Sequence, residues 1–188
     1  METPGQSTEN QNNQAKGNVY LRSAMTFGLI IGIVLVIYTL LLYMTNSYLT
    51  KNFLLSIIQW ILVIGGLYWG IKSYRDQQEG GYITYGKSVG LGVLISVFVG
   101  VIMGIFTYLL FVAIDPGLMD ESMKIAQEEM LKRGMSPDQV ETATEMQRNF
   151  QSPILMLFGS ILSFAFIGTI LSLIISIFTK KEEPIFNQ

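Results

Sequence analysis

Hydrophobic residues in this chain run in four long blocks that charged residues border but do not enter. Between Arg22 and Lys51 lie 28 uncharged residues, between Lys51 and Lys72 lie 20, between Lys87 and Asp115 lie 27, and between Arg148 and Lys180 lie 31. A helix needs about 20 mostly apolar residues to cross a bilayer. Each block therefore predicts a transmembrane helix, the second with little to spare. The spans fall at about 24–44, 53–71, 89–111 and 154–178. A soluble helical bundle would carry a charged outward stripe on each helix, and no block has one. The fold class predicted is all-α: an integral membrane bundle of four transmembrane helices occupying residues 20–181.

The one sizeable segment outside the spans, 115–152, predicts a helical hairpin between the third and fourth helices. Asp115-Pro116-Gly117 stops the third span, because Pro cannot continue a helix and pushes the residue before it towards extended backbone. From Leu118 to Lys132 the residues Met119, Met123, Ala126 and Met130 recur at helical spacing and form one apolar stripe. Asp120–Lys124, Glu128–Lys132 and Glu129–Arg133 are acid-first pairs four apart, the favourable order. Gly134 suits the position just past a helix end. Ser136-Pro137-Asp138-Gln139 reads as a helix start, with Ser136 and Gln139 as a capping box and Pro137 at the first helical position. A second helix then runs from Pro137 towards Phe150, with Val140, Ala143 and Phe150 on one face. The methionine stripe, Met119, Met123 and Met130, is a candidate partner surface, although packing against the second hairpin helix is the first expectation. The hairpin holds eight acids and four bases. Glu141 and Glu145 share a face, but no oxygen-rich loop accompanies them, so a solvated acidic face is expected rather than a metal site.

Residues 1–19 are polar, without apolar periodicity, and are expected to be a disordered tail; 182–188 form a short C-terminal tail. A signal peptide is not expected, since a basic region followed at once by an apolar core is missing. Lys16, Arg22, Lys72, Arg75, Lys87, Lys180 and Lys181 gather on one side of the predicted bundle. The positive-inside rule puts that side, with both termini, in the cytoplasm and the hairpin on the non-cytoplasmic side. Tyr20, Tyr74, Tyr82 and Tyr85 border the same side as interfacial aromatics do. Trp60 falls within a span and is expected to face a neighbouring helix.

Composition narrows the chemistry. Half of the chain is hydrophobic, 14% is charged, the mean hydropathy is +0.43 and the net charge is −2. No basic stripe points to nucleic acid. Without His or Cys, thiolate chemistry, haem ligation by those residues and most zinc or copper sites are removed, as is the usual general base near neutral pH. No Walker loop, dinucleotide fingerprint or Gly-x-Ser-x-Gly is present. The protein is expected to be no enzyme and to need no cofactor. Inside the spans there is no ionisable acid or base, which counts against proton-coupled pumps and voltage sensors.

Small residues recur every fourth position in the third span: Ser88, Gly92, Ser96, Gly100 and Gly104. Gly28 and Gly32, Gly66 and Gly70, Gly159 with Ser163, and Gly168, Ser172 and Ser176 do the same elsewhere. Lipid tails are as apolar as Leu, so such faces let helices associate by close packing. Internal packing is the expectation; a dimer seam or a substrate lining is the alternative. Gln59 is the one strong polar side chain within the second span and is expected to act as hydrogen-bond glue between helices.

Several short motifs in fixed order carry a resemblance. They are Gly81-Tyr82-Ile83-Thr84-Tyr85-Gly86-Lys87, Asp115-Pro116, Gly134-Met135-Ser136-Pro137-Asp138-Gln139, Pro153, and Gly168-x-x-Leu171-Ser172-Leu173-Ile174 before Lys180-Lys181. Over about 20–181 the chain resembles the small four-helix membrane proteins of Bacteroidota grouped as domain of unknown function 4199. The resemblance implies four spans and an inner-membrane location, with no assigned activity and no site residues to carry over. The leading expectation is a non-enzymatic inner-membrane protein acting through lipid or protein contacts, with the bilayer, a second copy or another membrane protein as partner. The alternative is a small transporter or channel subunit, with Ser88 to Gly104 and Gln59 lining a path after oligomerisation.

Overall fold

The computed structural model describes residues 4–50, 52–150 and 152–182. Its elements are α1 (Pro4–Met44), α2 (Phe53–Gln78), α3 (Tyr85–Leu109) running on into a π-helical turn (Leu110–Ile114), α4 (Gly117–Lys132), α5 (Pro137–Phe150) and α6 (Pro153–Thr179). Four of these, α1, α2, α3 with its π turn, and α6, are long and apolar enough to cross a membrane. Their outward faces are apolar as well: Leu162 and Phe178 are each 73% exposed and Phe166 68%, which only lipid can cover at low cost. The polar segment expected to lack structure is helical from Pro4 onwards. Once a long apolar helix exists, adding a residue costs little compared with nucleation, and Pro4 occupies the first position, where its missing N–H is no loss. Residues 1–3 and 183–188 lie outside the described residues.

α3 is the centre of the bundle. Half of its apolar window is buried, against about a fifth in the other three spans. It packs most extensively on α6 and then on α1, while α2 lies at the side. The small residues of α3 explain the order. A Cβ built on Gly100 would lie 2.9 Å from the Ile161 Cα and 3.0 Å from the Phe164 Cβ; one on Gly104 would lie 2.9 Å from the Leu157 carbonyl oxygen. One on Gly92 would overlap Ser172, and in return one on Gly168 would overlap Ser96. The backbones of α3 and α6 thus meet along a seam that holds no side chain larger than serine on the facing α3 positions. On the opposite side α1 uses Gly32 to receive Ile102, and α2 uses Gly66 to receive Ile31 and Gly70 to receive Ile95 and Phe27.

Two different closures finish the bundle. At the end carrying the termini, Ile83 and Lys181 exchange backbone hydrogen bonds of 2.8 and 3.0 Å, tying the α2–α3 loop to the chain just after α6. At the hairpin end, the π turn sends the Asp115 N–H to the Leu110 carbonyl at 2.8 Å. The Asp115 carboxylate accepts from the Tyr43 hydroxyl of α1 and from the Gly117 N–H, each at 3.1 Å. Leu118 then folds back into a cluster with Phe106 and Leu110, lined by Leu40, Tyr43 and Leu49. The hairpin has the expected capping box: the Ser136 N–H donates to Gln139 Oε1 at 3.0 Å and the Gln139 N–H to Ser136 Oγ at 3.4 Å. Gly134 has φ 86°, a left-handed value that favours glycine.

Gly100→Ala is expected to destabilise the protein by about 1–3 kcal/mol, because the atoms it meets include α6 backbone. Gly159→Ala, which meets nothing within 4 Å, is expected to be neutral or mildly stabilising. Thermal melting of both variants in the same detergent checks the contrast.

Candidate functional site

The structure places the sequence-derived candidates in three different settings. Gly92, Ser96, Gly100 and Gly104 lie buried in the α3–α6 seam, filled by Ser172, Phe164, Ile161 and Leu157. The Ser96 hydroxyl donates to the Gly92 carbonyl of its own helix at 2.8 Å. Met123 is buried and Met119 and Met130 are half-buried. The methionine stripe is therefore largely covered, and α4 is joined to α5 by Gln127 Nε2 donating to Thr144 Oγ1 at 3.2 Å. Gln59 departs from expectation. It is exposed and makes no hydrogen bond among the described residues, so it glues no helices. Trp60, expected against a neighbour, is 46% exposed. Both follow from α2 leaning away from α3 and α6 at its hairpin end.

Two adjoining cavities lie beside that end of α2. One, of about 480 Å³, is bounded by α1, α2, α3, the α1–α2 turn and α4, with Thr39, Gln59, Thr107, Phe111 and Ser122 among its walls. The other, of about 270 Å³, lies between α2, α3 and α6, with Ser56, Gln59, Trp60, Ser163 and Phe164 in its lining. Gln59 borders both, and among the described residues no Asp, Glu, Lys or Arg lines either.

The end carrying the termini is closed by a polar network that the sequence pattern did not single out. Glu79 Oε1 accepts from Lys87 Nζ at 2.6 Å and from the Tyr74 hydroxyl at 2.7 Å. The Tyr20 hydroxyl donates to the Lys87 carbonyl at 3.0 Å, and the Tyr20 and Tyr74 rings meet edge to face at 5.6 Å. Arg75 donates to the Thr179 carbonyl at 3.0 Å. Behind it, Ser88, Ser176 and Thr179 form a buried hydroxyl cluster: Ser176 donates to Ser88 at 2.8 Å, and Ser88 and Thr179 lie 2.9 Å apart. Ser172 Oγ, one turn deeper, is buried with no hydrogen-bond partner among the described residues. Burial alone would raise the Glu79 carboxyl. The hydrogen bonds from Lys87 and Tyr74 and the positive charges of Lys87 and Lys16 outweigh it, and its pKa lies below the ordinary 4.5.

Among the described residues no group of three or more His, Cys, Asp or Glu side chains could hold a metal ion. Glu141 and Glu145 are exposed on α5. What the arrangement offers chemically is a neutral, mixed-polarity cleft at one end and a salt-bridged latch at the other.

Four apolar helices of this length make the chain a multi-pass membrane protein. It belongs to the family described as Protein of unknown function (DUF4199), whose model matches residues 26–181. No curated protein and no solved structure matches the chain.

Because the folded pKa of Glu79 is depressed, its contribution to stability is full above the ordinary carboxylate range and is lost as pH falls through the depressed value. Glu79→Gln is expected to lower Tm by about 2–4 °C at pH 7. The gap between the two proteins should close as pH falls through the lowered value and the wild-type carboxylate becomes protonated. Paired melts across that pH range read the difference directly.

Proposed function

We propose that this is a non-enzymatic inner-membrane protein that works by holding lipid or another membrane protein, with both termini cytoplasmic and the hairpin periplasmic. The observation that carries it is that the described residues lining the two cavities beside α2 include no Asp, Glu, Lys or Arg. General acid–base catalysis draws on a titratable side chain within reach of the substrate, and proton coupling draws on intramembrane carboxylates or bases. Among the described residues neither cavity is lined by a carboxylate or an amine, and the titratable side chain in the larger one is Tyr48, whose pKa burial raises. The orientation is supported by the seven Lys and Arg residues near the helix ends on the termini side.

A second reading, a small transporter or channel subunit, is favoured by the cleft itself. Of the stripe from Ser88 to Gly104, Ser96 lines the smaller cavity, while α6 packs against Gly92, Gly100 and Gly104, and the latch around Glu79 and Lys87 closes the opposite end. Solute flux into proteoliposomes containing the pure protein, abolished by blocking the cleft, would move the assignment to this reading.

Since the chain has no native Cys, single cysteines report sidedness cleanly. Ser136→Cys is expected to react with an impermeant maleimide in intact spheroplasts and Gly80→Cys only after lysis; the reverse pattern would invert the topology. Crosslinking within the membrane from hairpin positions should yield a defined adduct with lipid or protein. Recovery of the free monomer alone would count against action through contacts.

A further inference from the structure

α2 is packed along only part of its length. Its buried residues, Val63, Leu67, Gly70, Ile71 and Tyr74, all lie towards the termini end, and none of residues 53–62 is buried. Near the hairpin end, the Tyr38 hydroxyl donates to the Leu55 carbonyl at 2.6 Å, which holds α2 to α1 while it parts from α3 and α6. The resulting cleft has two chambers of different character. The larger, about 480 Å³, lies beneath α4 and mixes hydroxyl and amide groups with Leu42, Met103 and Phe111. That volume falls within the range of about 300–1,000 Å³ usual for small-molecule sites. The smaller, about 270 Å³, lies deeper in the bundle and is walled mainly by Trp60, Val63, Phe164 and Ile167.

Gln59 stands where the chambers meet, about 9 Å along α2 from its first residue at 1.5 Å per residue. Its carboxamide has no hydrogen-bond partner among the described residues, nor has the Thr107 hydroxyl. A polar group at this depth is costly without a partner, and lipid tails supply none. Among the described residues lining either chamber, a charged head finds no counter-charge. Water alone suits the larger chamber but not the apolar walls of the smaller one.

We propose that the cleft binds a neutral lipid, one whose head carries only hydroxyl and ester groups. The head is held at Gln59 and Thr107 in the larger chamber, and one acyl chain lies in the smaller chamber between α2, α3 and α6. The depth order matches a lipid in the bilayer, with its polar part towards the hairpin surface and its tail towards the middle. The open side of the smaller chamber faces lipid past Trp60 and Ile167, both exposed, which gives the molecule a lateral way in. The proposal rests on the non-catalytic reading above for the fate of the lipid, and names its ligand class.

The test uses the full chain in nanodiscs containing a diacylglycerol with a photoactivatable diazirine in one acyl chain. Labelling is expected to concentrate on peptides covering residues 56–63 and 163–168, and to be competed by unlabelled diacylglycerol but not by phosphatidylglycerol. Gln59→Leu should weaken that competition about threefold to tenfold, the size of one neutral hydrogen bond, and Gln59→Asn should lose less. Ser163→Trp, which fills the smaller chamber from its exposed rim, should remove the labelling, whereas Phe166→Trp on the lipid face should keep it. Labelling spread evenly over lipid-facing positions such as Phe158, Leu162 and Phe166, or equal competition by phosphatidylglycerol, overturns the proposal. Both of those results are read on the wild-type chain, so they stand even where a variant fails to fold. Lipid recovered chemically unchanged supports the non-catalytic reading. Lipid that labels the cleft but is recovered chemically converted defeats that reading and leaves the site in place.

Discussion

The close approach of α3 to α6 is the contact on which the rest of the bundle depends. In lipid, apolar side chains gain little by leaving one greasy surroundings for another, so helices hold together where their backbones come near enough for dense dispersion contact. Gly92, Gly100 and Gly104 on α3, with Gly168 on α6, make that approach possible. With α6 along one face of α3 and α1 along another, little of the central helix is left for α2. That helix is secured where its own Gly66 and Gly70 receive Ile31, Phe27 and Ile95, and beyond Val63 it has no comparable seat. The cleft around Gln59 is the remainder of this allocation of surface.

The two ends of the bundle are closed by different physics. At the termini end the fastenings are polar and partly charged: Lys87 with Glu79, Arg75 with the Thr179 carbonyl, and a hydroxyl cluster behind them. Ion pairs this close to solvent contribute modestly one by one, but here they join α2, α3 and α6 through shared partners, with Tyr20 bringing in α1. At the hairpin end the closure is mainly apolar. Leu118 seats among Phe106, Leu110 and Leu40, and the Tyr43–Asp115 hydrogen bond fixes where the chain leaves α3. The π turn contributes one extra residue per turn there, which re-aims Asp115 towards α1.

Much of this was legible from residue pattern alone. Charge-free windows mark the four long helices because a bilayer penalises every charge within it. Ser136 and Gln139 mark the start of α5 because their side chains satisfy otherwise unpaired N–H groups. The four-residue spacing from Ser88 to Gly104 marks a helix face because 3.6 residues make a turn. The pattern failed where the answer depends on which helix wins a shared surface. Nothing local to Gln59 or Trp60 says that α2 yields its place beside α3 to α6. The latch around Glu79 was missed for a related reason: Tyr74, Glu79 and Lys87 are scattered across a helix end, a loop and a helix start, and only the fold brings them within 3 Å. The placement of Glu79 and Lys87 on either side of one short loop was the available signal. Helical structure from Pro4 was missed because composition speaks to burial, whereas a helix already running needs little burial to continue.

The distance along the chain between α3 and α6 has a consequence for how the protein is made. A ribosome delivers α3 to the membrane well before α6, with the whole 115–152 hairpin still to come. Throughout that interval the glycine groove of α3 lacks the helix that fills it, and of the contacts α3 makes in the finished bundle those with α1 are the most extensive still open to it. Lys181, whose backbone closes the bridge to Ile83, emerges later still. Synthesis of α6 and of the residues just after it therefore both fills the seam and fastens the far loop, which makes the arrival of that segment the event that commits the bundle to its final shape.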